Sequence, residues 1–203
     1  MEGGGRRTRE RRLRREYLLN ISERLFAEQG FFKTTMSQIA KESEFALATI
    51  YRFFRSKEEL YFTLIEEKLE LLIDNVQEAV VKVSSSVEKI KALIRAQMTF
   101  FEEHPHFFKL LMAEKFGLEE GEKDTLRERI GRKYNSYLNS ISEIIRKGIR
   151  RGELKRVDPK ETSHTLAGML NTFTLMWLSN PSKGSLAARS NALVELFLRG
   201  TQQ

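Results

Sequence analysis

The sequence predicts an all-α fold of about nine helices. Apolar residues recur with the period of an amphipathic helix throughout the 203 residues, proline occurs only three times, and no segment alternates apolar and polar residues as a strand does. We expect residues 1–55 to form a basic arm and a three-helix head with a helix-turn-helix. Residues 56–203 are expected to form a larger helical bundle, the body. A long fourth helix joins head and body without a flexible linker.

The first three predicted helices have recognisable ends. Gly30 follows a helix from about Arg9 to Gln29 and suits the left-handed position beyond a helix C-terminus. Thr35 and Gln38 have the spacing of a capping box, so a second helix begins after Thr35. A turn is expected at 41–45 and a third helix at 46–54.

The body helices are delimited in the same way. Ser56 and Glu59 form another capping box, and Asp158 precedes a proline that suits the first position of a helix. We expect helices at about 56–83, 87–103, 107–115, 123–151, 159–179 and 185–199. An exposed loop is expected at 117–124 and a turn at 180–184.

Composition excludes several classes of protein. The chain has no cysteine, which excludes disulfides, thiol catalysis and cysteine-ligated zinc and fits a reducing cytoplasm. No apolar run reaches the roughly 20 residues that a membrane-spanning helix needs. The N-terminus carries charge without the apolar stretch of a secretory signal. We therefore expect a cytoplasmic protein with no membrane partner.

The net charge of +7 is unevenly distributed. Residues 1–15 contain seven arginines, two glutamates and no lysine. Such an arm is common in proteins that bind nucleic acids. A disordered, solvated tail explains the arm equally well.

The segment 35–60 has the layout of a helix-turn-helix, which places its second helix in the DNA major groove. The residues nearest the turn, Ala46, Leu47 and Ala48, are expected to meet base edges. Thr49 and Tyr51 lie where the sugar-phosphate backbone passes. The apolar residues expected to pack inward are Ile39, Ala40, Ile50, Phe53 and Phe54. The predicted DNA-contacting residues are Thr35, Ser37, Gln38, Ala46, Leu47, Ala48, Thr49, Tyr51, Arg52 and Lys57.

This segment resembles the TetR family of bacterial transcription regulators. The matching features are FAEQGF at 26–31, Thr35, Ile39-Ala40, Thr49-Ile50-Tyr51, Phe53-Phe54 and SKEEL at 56–60. The resemblance implies a homodimeric repressor whose paired heads bind a palindromic operator in double-stranded DNA and release it when the body binds a small molecule. It also implies phosphate contacts from Thr35, Tyr51 and Lys57, and an N-terminal arm that enters the minor groove.

Three residues depart from the family pattern. Glu44 stands where the family usually has glycine in the turn, and a positive φ is uncommon for any other residue. Ala46 and Leu47 stand where the family often has serine and lysine. Ala46 lacks a capping hydroxyl, which costs about 1 kcal/mol. We expect base readout to depend on apolar contact between Leu47 and thymine methyl groups, and on Arg52.

The eighth helix predicts a dimer. Its apolar residues cover almost the whole circumference, and such a helix must be buried on all sides. A four-helix interface formed by helices eight and nine of two subunits would bury it, although a monomer with this helix at its centre is the alternative. The predicted interface residues are Thr165, Gly168, Thr172, Leu175, Met176, Leu193 and Phe197.

Phenylalanine and methionine are plentiful on helices five to eight, and they favour a pocket for a small apolar effector. Ordinary core packing explains each of these residues singly. The predicted ligand-binding residues are Met98, Phe101, Phe108, Met112, Tyr134, Tyr137, Leu138, Met169, Leu170, Asn171 and Phe173.

Other functions have less support in the sequence. His104 and His106 are two apart and do not share a helical face, so no metal site is predicted. No nucleophile elbow, phosphate loop or dinucleotide fingerprint occurs, so we expect neither an enzyme nor a cofactor. An architectural DNA-binding protein without an effector, and a protein-interaction adaptor that no longer binds DNA, remain open.

Overall fold

The computed structural model describes residues 3–116, 125–180 and 184–202. Over these residues the chain forms nine α-helices and no strand, and Leu154 and Gln202 form an isolated β-bridge. The all-α prediction is therefore confirmed. The helices are α1 (Gly3–Gln29), α2 (Met36–Ser43), α3 (Leu47–Tyr51), α4 (Lys57–Val81), α5 (Ser86–Glu103), α6 (Pro105–Phe116), α7 (Thr125–Arg150), α8 (Pro159–Ser179) and α9 (Ser190–Thr201).

The chain separates into two compact units. Of the described residues, the N-terminal unit contains 3–68, 106–116 and 125–128, and the C-terminal unit contains 69–105, 129–180 and 184–202. Helix α4 contributes to both, because it begins at Lys57 and the boundary follows Lys68. The functional boundary at residue 55 stays a prediction.

The core of the N-terminal unit is built from the inward faces of its helices. Leu18, Phe26, Ile39, Ile50 and Phe54 are each at most 2% exposed. Burial of an apolar side chain of this size contributes about 1.5–3 kcal/mol, so this core holds α1, α2 and α3 together.

The predicted capping box fixes the start of α2. The hydroxyl of Thr35 accepts a hydrogen bond from the Gln38 backbone N–H at 3.2 Å. The side chain of Gln38 accepts one from the Thr35 backbone N–H at 2.9 Å. Two of the N–H groups that a helix start leaves without partners are thereby satisfied.

Helix α1 begins at Gly3, six residues before the predicted start at Arg9. The arginine-rich segment is therefore helical. Arginine and glutamate have good helix propensity, and the ion pairs Glu10–Arg14 (2.6 Å) and Arg12–Glu16 (3.5 Å) join residues one turn apart.

Arg15 attaches α1 to the middle of α4. Its guanidinium donates two hydrogen bonds to the carboxylate of Glu67, at 3.0 and 2.6 Å, and lies 5.3 Å from the ring centroid of Phe54. Hydrogen bonding to Glu67 raises the pKa of Arg15. A bidentate pair of this kind fixes orientation as well as distance.

Helix α3 is shorter than predicted. It spans Leu47–Tyr51 rather than 46–54, while α2 continues to Ser43, past the predicted start of the turn. The backbone N–H groups of Phe53 and Phe54 both donate to the carbonyl of Ile50, at 2.9 and 3.0 Å, which tightens the chain at the helix end. Phe54 consequently enters the core and α3 ends early.

In the C-terminal unit α5 packs against α8 and α9. Ile90, Ile94, Met98, Leu170 and Leu193 are fully buried. The helix starts are capped by carboxylates: Asp158 accepts from the Glu161 N–H at 2.7 Å, and Glu153 accepts from the N–H groups of Ser86 and Val87 at the start of α5.

Helix α9 begins at Ser190, five residues after the predicted start. The carboxylate of Glu102 accepts hydrogen bonds from the Ser185 hydroxyl at 2.8 Å and the Ala187 N–H at 2.7 Å. A short 3-10 turn follows at Ala187–Arg189. These bonds anchor the segment to α5 before the regular helix starts.

Some expectations fall on residues outside the described ranges: the loop at 117–124, the start of helix seven at Lys123, and the centre of the turn at 181–183. Among the helices that the structure does describe, none has the length and apolar character to cross a membrane.

Candidate nucleic-acid interface and ligand groove

The predicted DNA-contacting residues lie on an accessible face of α2 and α3. Thr49 and Lys57 are half-buried and the others are exposed. Tyr51 is 48% exposed and Leu47 is 39% exposed, so neither is a core residue. The exposed residues of the set are Thr35, Ser37, Gln38, Ala46, Leu47, Ala48, Tyr51 and Arg52.

The opposite faces of these helices determine which residues point outward. Ile39 and Ala40 are buried on α2, as is Ile50 on α3, and Phe53 is half-buried. The hydroxyl of Ser43 donates to the Ile39 carbonyl at 2.6 Å and so needs no solvent partner. The inward-facing expectation therefore agrees with the burial of Ile39, Ala40 and Ile50.

The turn before α3 has the backbone conformation that the sequence leads one to expect. Glu44 has φ 57° and ψ 24°, in the left-handed region, and is the only non-glycine residue with positive φ in the described chain. Its N–H donates to the Lys41 carbonyl at 3.3 Å, and that of Phe45 donates to the Ala40 carbonyl at 3.1 Å. Ala46 precedes α3 without a side-chain cap.

Lys57 makes internal contacts at the start of α4. Its ammonium donates to the Phe31 carbonyl at 2.9 Å and lies 4.2 Å from the Phe31 ring centroid. An ammonium has three N–H donors, so one hydrogen bond to the protein leaves capacity for a phosphate oxygen.

The C-terminal unit contains a groove of about 440 Å³ between α4, α5 and α7. Its apolar wall includes Val76, Val80, Leu93 and Ile144, and its cations are Lys89, Lys147 and Arg151. The remaining lining residues are Gln77, Ser86, Tyr137, Ser140 and Glu143. A pocket with an apolar wall and a few charged groups suits an amphiphilic anion of small-molecule size.

Tyr137 is the predicted ligand residue that lines this groove. Its hydroxyl donates to the side-chain oxygen of Gln97 at 2.5 Å. Burial raises the pKa of Tyr137, so the phenol stays protonated. The Tyr137–Gln97 pair therefore places a fixed, neutral polar group beside the groove.

The rest of the predicted ligand set is divided between the two units. Phe108 and Met112 belong to the N-terminal unit, and the others belong to the C-terminal unit. Tyr134, Met169 and Phe173 are half-buried, and the fully or largely buried members are Met98, Phe101, Phe108, Met112, Leu138, Leu170 and Asn171. The sequence interpretation missed the groove cations. Glu143 and Lys147 are four residues apart and therefore share one face of α7. This spacing is a sequence signal that could have pointed to Lys147.

The predicted interface residues are placed in two different environments. On α8, Thr165, Gly168 and Thr172 are exposed, Leu175 is 47% exposed and Met176 is 63% exposed. Leu193 and Phe197 on α9 are instead buried within the protomer, at 0% and 4% exposure, because this face of α9 packs against α5. The place of these two residues in a subunit interface stays a prediction, and Leu196, 58% exposed, is the accessible large apolar residue of α9.

Two family models match consecutive parts of the chain. "Bacterial regulatory proteins, tetR family" matches residues 18–64, and "YsiA-like protein, C-terminal region" matches residues 65–200. Together they cover the helix-turn-helix and the helical bundle.

Individual relatives agree with this match. The fatty acid metabolism regulator protein of Bacillus subtilis is 26% identical over 184 residues, which are 90% of this chain and 93% of the relative. The nucleoid occlusion factor SlmA of Vibrio atlanticus is 25% identical over 164 residues, 80% of this chain and 82% of the relative.

A solved structure is similar over nearly the same length. The transcriptional regulator FadR from Bacillus subtilis, in complex with stearoyl-CoA, has a TM-score of 0.77 and 25% identity, and the match covers 91% of this chain and 98% of FadR. The helix-turn-helix, the all-helical fold and both family models lead to one conclusion. The chain belongs to the TetR family of DNA-binding bacterial transcription regulators.

Proposed function

We propose that the protein is a homodimeric repressor that leaves its operator when the C-terminal unit binds a long-chain acyl thioester of coenzyme A. The observation that carries this proposal is the groove between α4, α5 and α7, whose lining combines apolar and cationic residues. An acyl-CoA combines an apolar chain with several phosphates. The likeness to a regulator that binds stearoyl-CoA supports the same ligand class.

The charge of the groove refines the ligand chemistry. Arg151 already donates to the Ser84 carbonyl and pairs with Glu153, whereas Lys89 and Lys147 add two cations to the lining for which phosphates are suitable partners. Val76, Val80 and Leu93 would contact the acyl chain. The proposed ligand is therefore an amphiphilic anion, and this is more specific than the small apolar molecule expected from composition.

On the DNA side, the proposed contacts are the accessible residues of α2 and α3. Thr35, Tyr51 and Lys57 would hold phosphates, and Ala46 to Ala48 would meet base edges in the major groove. The protein would bind its operator in the cytoplasm, where the bacterial genome lies.

Homodimerisation is supported by the exposed apolar face of α8. Leu175 and Met176 are large and accessible. They lie on the exposed side of α8, as Gly168 and Thr172 do. A second copy of this face would bury them. Paired recognition helices would then match major grooves one turn, roughly 34 Å, apart in a palindrome.

Release would follow from differential affinity. The ligand would favour a conformation of the body in which the two recognition helices no longer match successive major grooves. Helix α4 is the proposed connection, because it supplies Val76 and Val80 to the groove and begins at Lys57 in the N-terminal unit.

The test starts from the full chain and a library of random duplexes, from which the operator is selected. Fluorescence anisotropy then measures operator affinity with stearoyl-CoA, with coenzyme A and with stearate. Stearoyl-CoA is expected to weaken binding about 5- to 150-fold, the usual range of allosteric coupling, with little effect from either fragment. Lys89→Gln/Lys147→Gln is expected to require more stearoyl-CoA, whereas Lys160→Gln, an exposed lysine on α8, is not. Operator binding that stearoyl-CoA leaves unchanged would contradict the ligand assignment.

An architectural role is the second candidate, supported by the likeness to a nucleoid occlusion factor. It predicts that the selection yields no common motif and that binding falls with salt regardless of sequence. Absence of binding to any duplex would instead favour an adaptor.

A further inference from the structure

The first turns of α1 carry a row of arginines on one face. Arg7, Arg11 and Arg14 are spaced by four and three residues, which places them on the same side of a helix. With Arg52 they border a cavity of about 340 Å³. We name this cavity the arginine groove; its lining residues are Arg7, Glu10, Arg11, Arg14, Thr49, Arg52 and Phe53.

We infer that the arginine groove binds the DNA backbone, on a run of phosphates beside those contacted by α3. This inference rests on the proposed operator binding and extends its contact surface to the N-terminal turns of α1. Thr49 and Arg52 belong to α3 and its end, and they share the groove with the arginines of α1. An occupant of the groove is therefore next to whatever duplex α3 contacts.

The charge of the groove suits a polyanion. Four arginines face one carboxylate, Glu10, whose partner is Arg14 at 2.6 Å, so three positive charges remain without a matching acidic residue in the lining. Like charges gathered on one accessible surface favour the binding of an anion, and salt screens this attraction because the surface is exposed. The guanidinium group matches a phosphate with two parallel hydrogen bonds.

The groove is attached to the recognition helix. The guanidinium carbon of Arg11 lies 5.8 Å from the ring centroid of Phe53, within the range of a cation–π contact. Farther along α1, Arg15 is held by Glu67 and by the ring of Phe54. These contacts keep the arginine face of α1 directed toward the end of α3.

Dimensions decide between phosphates and the minor groove. A helix with side chains is about 10–12 Å wide, whereas the minor groove is about 6 Å wide. A helical arm does not fit there, so the minor-groove arm implied by the family resemblance is not available to residues 3–16 in this conformation. From Arg7 to Arg14 the helix rises about 10 Å, which matches about three nucleotides of one strand at about 3.4 Å each.

The experiment compares two double variants that remove the same charge. Arg7→Gln/Arg11→Gln removes two groove arginines, and Arg9→Gln/Arg12→Gln removes two exposed arginines from the opposite face of α1. Glutamine has nearly the helix propensity of arginine, and far-ultraviolet circular dichroism checks that α1 stays helical. Binding of full-length protein to the selected operator is measured by anisotropy between about 50 and 200 mM salt.

For the groove variant, the slope of log K against log salt is expected to fall by about 0.9 for each phosphate that the protein no longer neutralises, or about 1.8 per head. Hydroxyl-radical footprinting is expected to show no protection at about three nucleotides beside the α3 contacts. The opposite-face variant is expected to keep the wild-type slope and footprint.

Each alternative result has a distinct meaning. An equal fall in slope for both variants would reduce the effect to net charge and overturn the groove assignment, while the proposed operator binding would stand. An unchanged slope in the groove variant would also overturn the assignment of phosphate contacts to the arginine groove. A wild-type protein that binds no duplex would overturn both proposals.

Discussion

At the scale of single residues, the backbone of Glu44 is the clearest departure from low-energy geometry. A left-handed conformation costs a non-glycine residue about 1–2 kcal/mol, because Cβ approaches the following carbonyl oxygen. Glu44 adopts it at φ 57° because the chain must reverse between α2 and α3. The turn therefore stores strain directly beside the residues proposed to contact DNA.

Glu44→Gly is expected to stabilise the protein. Relief of about 1–2 kcal/mol is partly offset by the extra entropy of glycine in the unfolded chain, about 0.5–1 kcal/mol, leaving a net gain of about 0.5–1 kcal/mol. Thermal unfolding should show a Tm higher by about 1–4 °C for a chain of this size. Glu44→Ala is the control, because it removes the carboxylate but keeps Cβ. An equal gain in both variants would assign the effect to charge.

A substitution of Leu47 tests whether this single side chain reads a base directly. It is 39% exposed in the first turn of α3, where an apolar side chain can contact a thymine methyl group. Leu47→Lys is expected to change the preferred base at one position of each half-site toward guanine, since lysine donates to guanine O6 and N7. Selection from random duplexes measures this. Val81→Lys, at a 78% exposed residue of α4, is the control. A motif unchanged by Leu47→Lys would contradict direct readout by this residue.

At the scale of helices, local signals predicted some boundaries and tertiary contacts set the rest. The capping residues Thr35 and Asp158 mark the starts of α2 and α8 in the sequence alone. The late start of α9 depends on Glu102, which lies more than eighty residues earlier, so no local pattern could reveal it.

The candidate sites divide in a similar way. The accessible face of α2 and α3 could be inferred from the sequence, because the apolar residues that point inward recur with the period of a helix. The burial of Leu193 and Phe197 could not, because an apolar residue of α9 suits either the protomer core or a subunit interface. The cations of the groove between α4, α5 and α7 come from α5, from α7 and, for Arg151, from the residue after α7, and they meet only in the folded chain.

Close approach between elements makes Gly148 necessary in α7. A Cβ at this position would lie 2.7 Å from Leu154 Cδ1 and 2.9 Å from Ser86 Cβ, closer than real contacts allow. Gly131 in the same helix is exposed, and a Cβ there would meet nothing within 4 Å. The two glycines thus differ in packing while sharing one helix.

Gly148→Ala and Gly131→Ala are expected to have opposite effects on the free energy of unfolding. Each gains about 1 kcal/mol of helix propensity, but Gly148→Ala also overpacks the core at a cost of about 1–3 kcal/mol. The difference between the two variants isolates the overpacking cost, and urea unfolding measures it. If both variants are equally stabilised, α7 and the Leu154 segment are not closely packed in solution.

At the scale of the whole molecule, the exposed face of α8 is the feature that a single protomer leaves unexplained. Leu175 and Met176 are accessible near the C-terminal end of α8, whereas most large apolar residues of the C-terminal unit are buried. Burial of both in a partner would also bring two heads onto one operator. Dimerisation and affinity for a palindrome should therefore be abolished together.

Met176→Glu is expected to dissociate the dimer, because it would bury a carboxylate without a partner. A penalty of about 3–5 kcal/mol for an unpaired buried charge corresponds to a dimer Kd raised by about two to four orders of magnitude. Sedimentation velocity measures the dimer Kd, and anisotropy measures the accompanying fall in affinity for the two-half-site operator. Val81→Glu introduces the same charge at an exposed apolar residue of α4 and should leave both values unchanged. A Met176→Glu protein that stays dimeric would place the subunit interface elsewhere, whereas a monomer that keeps full operator affinity would separate DNA binding from dimerisation.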